Sequence, residues 1–275
     1  MKKMMRFLRK FSFLGKAAVM VIVIFFLLAM APNQLAIHSP NIPSGPALTS
    51  PNFQHWLGTD DLGIDLWAQI CHGAQISMMV GLGTAFLAVG GGSILGVFAG
   101  YYGGKIDGWL MRLIDLMMVI PELPTMIVLG SFFGPSMVNI MIVLTLFSWT
   151  RPARIIRSKV ISIKEENYVK VTESYGGGFI YITRRHFLPQ TFPLIMVSFI
   201  KLVSKAIVAE ASLAFLGLGD PTSKSWGLIL NHAMSFQGIY FIEFWKWWIL
   251  FPLLCIMTMV LAISFISKEI ENLLC

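Results

Sequence analysis

Three charged side chains stand where charge is costly. Lys201, Lys205 and Glu210 fall inside the apolar run 191–217, and a lysine at the centre of a bilayer costs about 2.5–3.5 kcal/mol on insertion scales. Such groups face a bundle interior or an aqueous cavity. Lys201 and Lys205 share a helical face. Glu210 lies about 140° round from Lys205 at 3.6 residues per turn, so the set forms no good pair within one helix. Two readings stay open: a polar lining of a translocation path, or ion pairing with another chain together with snorkelling of Lys205. Glu122 is a similar but proline-flanked candidate. Other chemistry is thin. Gly92-Ser93-Ile94-Leu95-Gly96 lacks the lysine and hydroxyl that a phosphate-binding loop needs. His38, His55, His72, His186 and His232 do not fall at metal-ligand spacing, and Cys71, Cys255 and Cys275 are too scattered for a disulfide framework or a zinc site. No Ser-Lys, Asp-Asp or His-Glu-x-x-His arrangement occurs, so no catalytic residue, metal site or cofactor is expected in this chain.

The elements that must position these residues follow from composition. Hydrophobic residues make up 56% of the 275 and charged residues 13%, with mean hydropathy +0.73. Soluble domains carry about 25% charged residues. This chain has too few to cover a water-facing surface, which excludes a soluble globule. Six stretches are long and apolar enough to be spans, near 11–31, 77–101, 110–132, 135–150, 191–217 and 247–267. The third is interrupted by Pro121-Glu122-Leu123-Pro124 and should kink. Of the 21 Lys and Arg, 17 fall on one side of this arrangement and two on the other. The positive-inside rule then puts both termini in the cytoplasm. The net charge of +7 is this patterning and implies no nucleic acid. Residues 1–31 also carry a basic start and Ala29-Met30-Ala31, as a cleavable leader would. Pro32 just after that site disfavours cleavage, so the segment is expected to remain as a span.

The outer loop begins Pro-rich, which predicts extended chain. Leu62, Leu66, Trp67 and Ile70 then recur at helical spacing, which predicts a short helix on the membrane surface. Ala88, Gly92, Gly96, Gly100 and Gly104 form a small-residue stripe for close helix packing. In the long inner loop, Ile161, Tyr168, Val171, Thr172 and Tyr175 share a helical face. Gly176-Gly177-Gly178 then ends that helix with a left-handed cap. A second short helix should run from Phe179 to about His186, before Leu188-Pro189 opens the next span. An apolar helix face in the cytoplasm needs a partner's groove or the inner leaflet.

From Glu166-Asn167-Tyr168-Val169 through Gly176 to Phe187-Leu188-Pro189, this loop resembles the EAA loop of ABC-importer permeases. The ordered set His55-Trp56-Leu57-Gly58-Thr59-Asp60, Gly73-Ala74-Gln75-Ile76-Ser77, Tyr101-Tyr102-Gly103-Gly104 with Met111-Arg112 and Asp115, Ala209 to Gly219 and Ser225-Trp226-Gly227 resembles the C-type subunits of the peptide and nickel branch. Lys170-Val171-Thr172 stands where that family has Glu-Ala-Ala, with Gly176 kept and two glycines added. Ile64, Gln69 and Gln75 replace usual arginines, and the tail Ser267-Lys268-Glu269-Ile270 lacks the usual Gly-Asp.

The resemblance implies an all-α integral membrane protein with six transmembrane helices, of the type I permease fold with a cytoplasmic coupling hairpin. It divides the chain into 1–72 (tail, first helix and outer loop), a permease domain 73–267 with the coupling loop at about 151–190, and a tail 268–275. It implies a bacterial or archaeal cell membrane, a homologous permease, two ATPase subunits and an extracytoplasmic binding protein as partners. Peptides or nickel and metal chelates are the implied cargo. Tyr168, Val171, Thr172, Tyr175 and Gly176 become ATPase-coupling residues; Lys201, Lys205 and Glu210 become path residues. A self-sufficient secondary transporter is the alternative class. It would show inverted repeats and broken helices in both halves, and neither is evident.

Overall fold

A computed structural model describes residues 11–274 of the chain. The described residues are helical apart from loops and one isolated bridge between Thr59 and Asp65. Helix α1 (Phe13–Met30) starts at Ser12, whose Oγ accepts the Gly15 N–H at 3.1 Å. After one turn at Pro32–Leu35 and the outer loop comes α2 (Leu66–Tyr102), 37 residues long. Asp65 caps it, accepting the Ala68 N–H at 2.9 Å. Thus Leu66 and Ile70, fully or almost fully buried, open the long span itself. The separate surface helix expected there does not form, because Asp65 starts α2 well before the apolar core of the span.

Next come α3 (Gly104–Val119) and α4 (Glu122–Phe133), bent by 89° at the expected proline break. Then follow α5 (Met137–Ser148), α6 (Thr150–Lys164) and α7 (Asn167–Ser174). One helical turn at Phe179–Ile182 passes through a π-helical turn at Thr183–Phe187 into α8 (Leu188–Phe215). Leu188-Pro189 opens α8 as expected, since proline in the first turn lacks only an N–H that needs no intrahelical partner there, and the π-helical turn leads into it without a loop. The chain closes with α9 (Trp226–Ser235), one turn at Trp245–Trp248 and α10 (Leu250–Leu274).

Four helical segments among the described residues are long and apolar enough to cross a bilayer, Phe13–Met30, Leu66–Tyr102, Phe179–Phe215 and Trp245–Leu273, and the bent α3–α4 pair makes a fifth. The expected span 135–150 is α5, whose 12 residues reach about 18 Å of a roughly 30 Å core. Length and apolarity alone therefore give fewer crossings than six.

Packing centres on α2. Lipid tails are as apolar as leucine, so close van der Waals contact, not water exclusion, holds such helices together. Ala74, Ala85 and Ala88 are fully buried. Gly92, Gly96 and Gly100 admit the backbone of α6, where Ala153, Ile156 and Val160 are also fully buried. A Cβ on Gly96 would stand 2.5 Å from the Ala153 carbonyl oxygen. Gly104 does not extend this stripe; it turns the chain at φ +56° with open space around it.

Candidate functional site

The hairpin after α6 is anchored on one side and bare on the other. Ile161 belongs to α6, across the break at Glu165-Glu166, so it does not share the face of Tyr168. On α7 the inward residue is Val169, fully buried in a cluster with Ile156, Val160, Ile163, Ile182 and Phe187. The outward residues are Tyr168, Val171 and Tyr175, 43%, 53% and 89% exposed. Thr172 is turned into the hairpin: its Oγ1 donates to the Tyr168 carbonyl at 2.7 Å and lies 3.3 Å from His186 Nε2. It thus braces the hairpin and is not part of the bare stripe. Gly176 takes φ +83°, the left-handed conformation its position required. The Gly177 N–H then closes the turn onto the Thr172 carbonyl at 2.9 Å. A Cβ on Gly177 would meet that carbonyl oxygen at 2.8 Å, so this added glycine fits a tight turn. Tyr168 Oη accepts from Gln190 Nε2 at 2.7 Å, tying α7 to the base of α8.

Charges fasten the same region. Lys164 Nζ donates to the Tyr101 carbonyl at 2.6 Å and sits 5.2 Å from that ring's centre. Arg157 pairs with Asp107 and Arg154 with Asp115, joining α6 to α3. The hydrogen bond to Asp107 pushes the Arg157 guanidinium pKa up. The Lys170 ammonium, 2.9 Å from Glu165, holds that carboxyl below its ordinary range. This pair is exposed and adds little stability.

The second locus lies between α8, the α3–α4 bend and the start of α6. Lys205 pairs with Glu122 at the bend, and Lys201 pairs with Glu271 on α10. A cavity of about 510 Å³ is walled by Glu122, Arg151, Lys201 and Lys205, with Met117 and Phe147 among its apolar lining. Both lysines are thus brought together, and each finds its carboxylate within the chain. Glu210 is not with them. It is 2% exposed and accepts Ser77 Oγ at 3.0 Å, a packed α8–α2 contact. It therefore stands in a helix contact and not in the wall of the cavity at Lys201 and Lys205. The sequence pattern singles out neither Glu271 nor Arg151. Glu271 stands beside Lys268, Glu269 and Asn272 in the sequence, so nothing local marks it.

The outer loop is built, not merely extended. Asp60 Oδ1 accepts the N–H groups of Leu62 and Ile64 at 2.9 and 2.8 Å, and its Oδ2 accepts Gln69 Nε2 at 2.7 Å. Buried His55 Nδ1 lies 2.9 Å from Asp65 Oδ1. Gln69 satisfies Asp60 without a second charge.

A bundle of apolar helices long enough to cross a bilayer, with an anchored hairpin presenting a bare apolar stripe, defines a polytopic helical membrane protein. The class is sharpened by comparison: residues 92–272 match the family described as binding-protein-dependent transport system inner membrane component. The chain belongs to that family, the permeases of ABC importers, and is a multi-pass protein of the bacterial inner membrane. It is 35% identical over 247 residues to the dipeptide transport system permease protein DppC of Bacillus subtilis (strain 168), covering 86% of this chain and 73% of that one. It is 32% identical over 271 residues to a Brucella suis biovar 1 protein named as a peptide transport system permease, covering 98% and 89%. A similarly named Brucella abortus biovar 1 protein is 34% identical over 248 residues, covering 87% and 82%.

Proposed function

We propose that this chain is one of two homologous permeases in an ATP-driven peptide importer. An external binding protein delivers the cargo, and two ATPase subunits act on the hairpin. Both termini then lie in the cytoplasm, as the distribution of Lys and Arg supports. The observation that carries the reading is one short helix with Val169 fully buried on one side and Tyr168 and Val171 exposed on the other, continued by exposed Tyr175 at its C-cap. Such a helix is rigidly held on its own chain while keeping an apolar face for a groove in another. No ATP chemistry is assigned to this chain, so its part is mechanical. Closure of the ATPases displaces α7, Gln190 and the π-helical turn pass the displacement to α8, and the cavity at Lys201 and Lys205 changes its access. The lysine pair lines the path, and Tyr168, Val171, Tyr175 and Gly176 carry the coupling. The names of the similar permeases support peptide cargo over nickel or a metal chelate.

The test is a pair of variants. Val171→Asp puts a charge on the bare stripe, and Gly176→Val forces a β-branched residue into φ +83°. Both should insert and assemble with the partner permease, yet lose ATPase association or substrate-stimulated hydrolysis and hence peptide uptake. Normal uptake in both variants overturns the coupling assignment. Uptake of nickel without peptide overturns the cargo.

A further inference from the structure

Helix α3 sorts its charges onto different sides. Its carboxylates, Asp107 and Asp115, turn to α6 and are taken by Arg157 and Arg154. Its cations, Lys105 and Arg112, pair with no carboxylate among the described residues; both are exposed. Seven residues apart, they share one face with Trp109 and Leu116 at about 100° per residue. Fully buried Ile114 marks the opposite side. Trp109 is 72% and Leu116 67% exposed, so this face looks away from the bundle. Beside it runs a groove of about 630 Å³ between α3 and the end of α2, whose lining includes Leu95, Phe98, Ile106 and Leu113 with Lys105 and Arg112.

We propose that this groove is a binding site for one anionic phospholipid of the leaflet bordering the α2–α3 turn. Its acyl chains lie on Leu95, Phe98, Leu113 and Leu116, and its phosphate is held by Lys105 and Arg112, with Trp109 between the two at headgroup depth. The chemistry fits in three respects. The cations stand about 10 Å apart along the helix, within reach of one headgroup through two long flexible side chains. An indole belongs at the boundary between headgroup and acyl chain. Basic residues at that boundary favour anionic over zwitterionic lipid. A protein partner would have to bury two cations in an apolar groove without supplying a carboxylate from this chain, whereas a phosphodiester neutralises them in place. This surface is apart from the lysine cavity and meets the hairpin through Phe98, whose ring lies edge-on to Phe179.

The experiment uses the full chain, with the subunits that co-purify, in nanodiscs of phosphatidylcholine. Brominated phosphatidylglycerol or brominated phosphatidylcholine is titrated in. Because the chain has eight tryptophans, the Trp109 signal is read as the difference between the native protein and Trp109→Phe. Brominated phosphatidylglycerol should half-quench that signal at a roughly tenfold lower mole fraction than brominated phosphatidylcholine. Lys105→Gln with Arg112→Gln should erase the preference. Equal quenching by the two lipids in the native protein shows no headgroup selection and overturns the proposal. Absence of quenching by either shows a groove covered by protein and also overturns it. So does a preference that survives the double variant, since the headgroup would then sit on other cations. If the double variant does not assemble, the comparison of the two lipids on the native protein decides alone.

Discussion

Replacing Gly96 by alanine would test whether α2 and α6 meet backbone to backbone, the contact on which the hairpin's anchorage rests. The added methyl would stand 2.5 Å from the Ala153 carbonyl oxygen and 3.1 Å from the Arg157 nitrogen. Carbon reaches an ordinary contact at about 3.5 Å, so the two helices must part by about 1 Å. That separation also loosens Gly92 against Trp149 and Gly100 against Val160, along the same stripe. Overpacking of this kind costs about 1–3 kcal/mol. Alanine itself gains about 1 kcal/mol over glycine in a helix, which would mask part of the loss. Gly91→Ala supplies the control, since a Cβ there meets nothing within 4 Å on the same helix. The propensity gain then cancels between the variants, leaving the steric penalty alone. Thermal unfolding followed by size-exclusion chromatography should give Gly96→Ala a midpoint at least about 2–4 °C below Gly91→Ala. Equal midpoints would refute the packing argument, because nothing but the α6 backbone distinguishes the two positions.

Two further outcomes are expected. In cells expressing a version without native thiols, Phe53→Cys, fully exposed on the outer loop, should react with an impermeant maleimide, while Lys170→Cys on α7, also exposed, should not; the reverse pattern inverts the orientation. Lys205→Glu should impair peptide uptake by placing two carboxylates together at the α3–α4 bend, and adding Glu122→Lys should restore part of it; no rescue would mean that the Lys205–Glu122 pair is incidental to transport.

What sequence could supply here was local. Proline flanking Glu122 foretold the bend, glycine spacing foretold the α2 stripe, and Gly176 foretold a left-handed turn, because each depends on backbone sterics within a few residues. Helix ends were less legible. Asp65 caps α2 where apolar spacing alone suggests a separate helix, and the short helix expected to end near His186 instead passes through a π-helical turn straight into α8. Ile161 was grouped with Tyr168 because periodicity cannot register the break at Glu165. The partners of buried charge were beyond reach. Glu122, Glu271 and Ser77 lie 83, 70 and 133 residues from Lys205, Lys201 and Glu210. Whether a charged residue lines a cavity or fills a helix contact is decided by such distant neighbours, which is why Lys205 and Glu210 parted company.

The unbroken run from the hairpin into α8 has a mechanical consequence. At 1.5 Å per residue, the 28 residues of α8 make a rod about 42 Å long. Were it to pivot at its hairpin end by about 5°, Lys205 would swing by about 2 Å and Phe215 by nearly 4 Å, since displacement grows with distance along the rod. A hydrogen-bonded ion pair tolerates far less than 2 Å before it opens. Lys201 would swing almost as far, by about 1.7 Å, so a push too small to rearrange the hairpin itself would be geared up into release of both clasps, Lys205–Glu122 and Lys201–Glu271, freeing the α3–α4 elbow and α10 together at the height of the cavity.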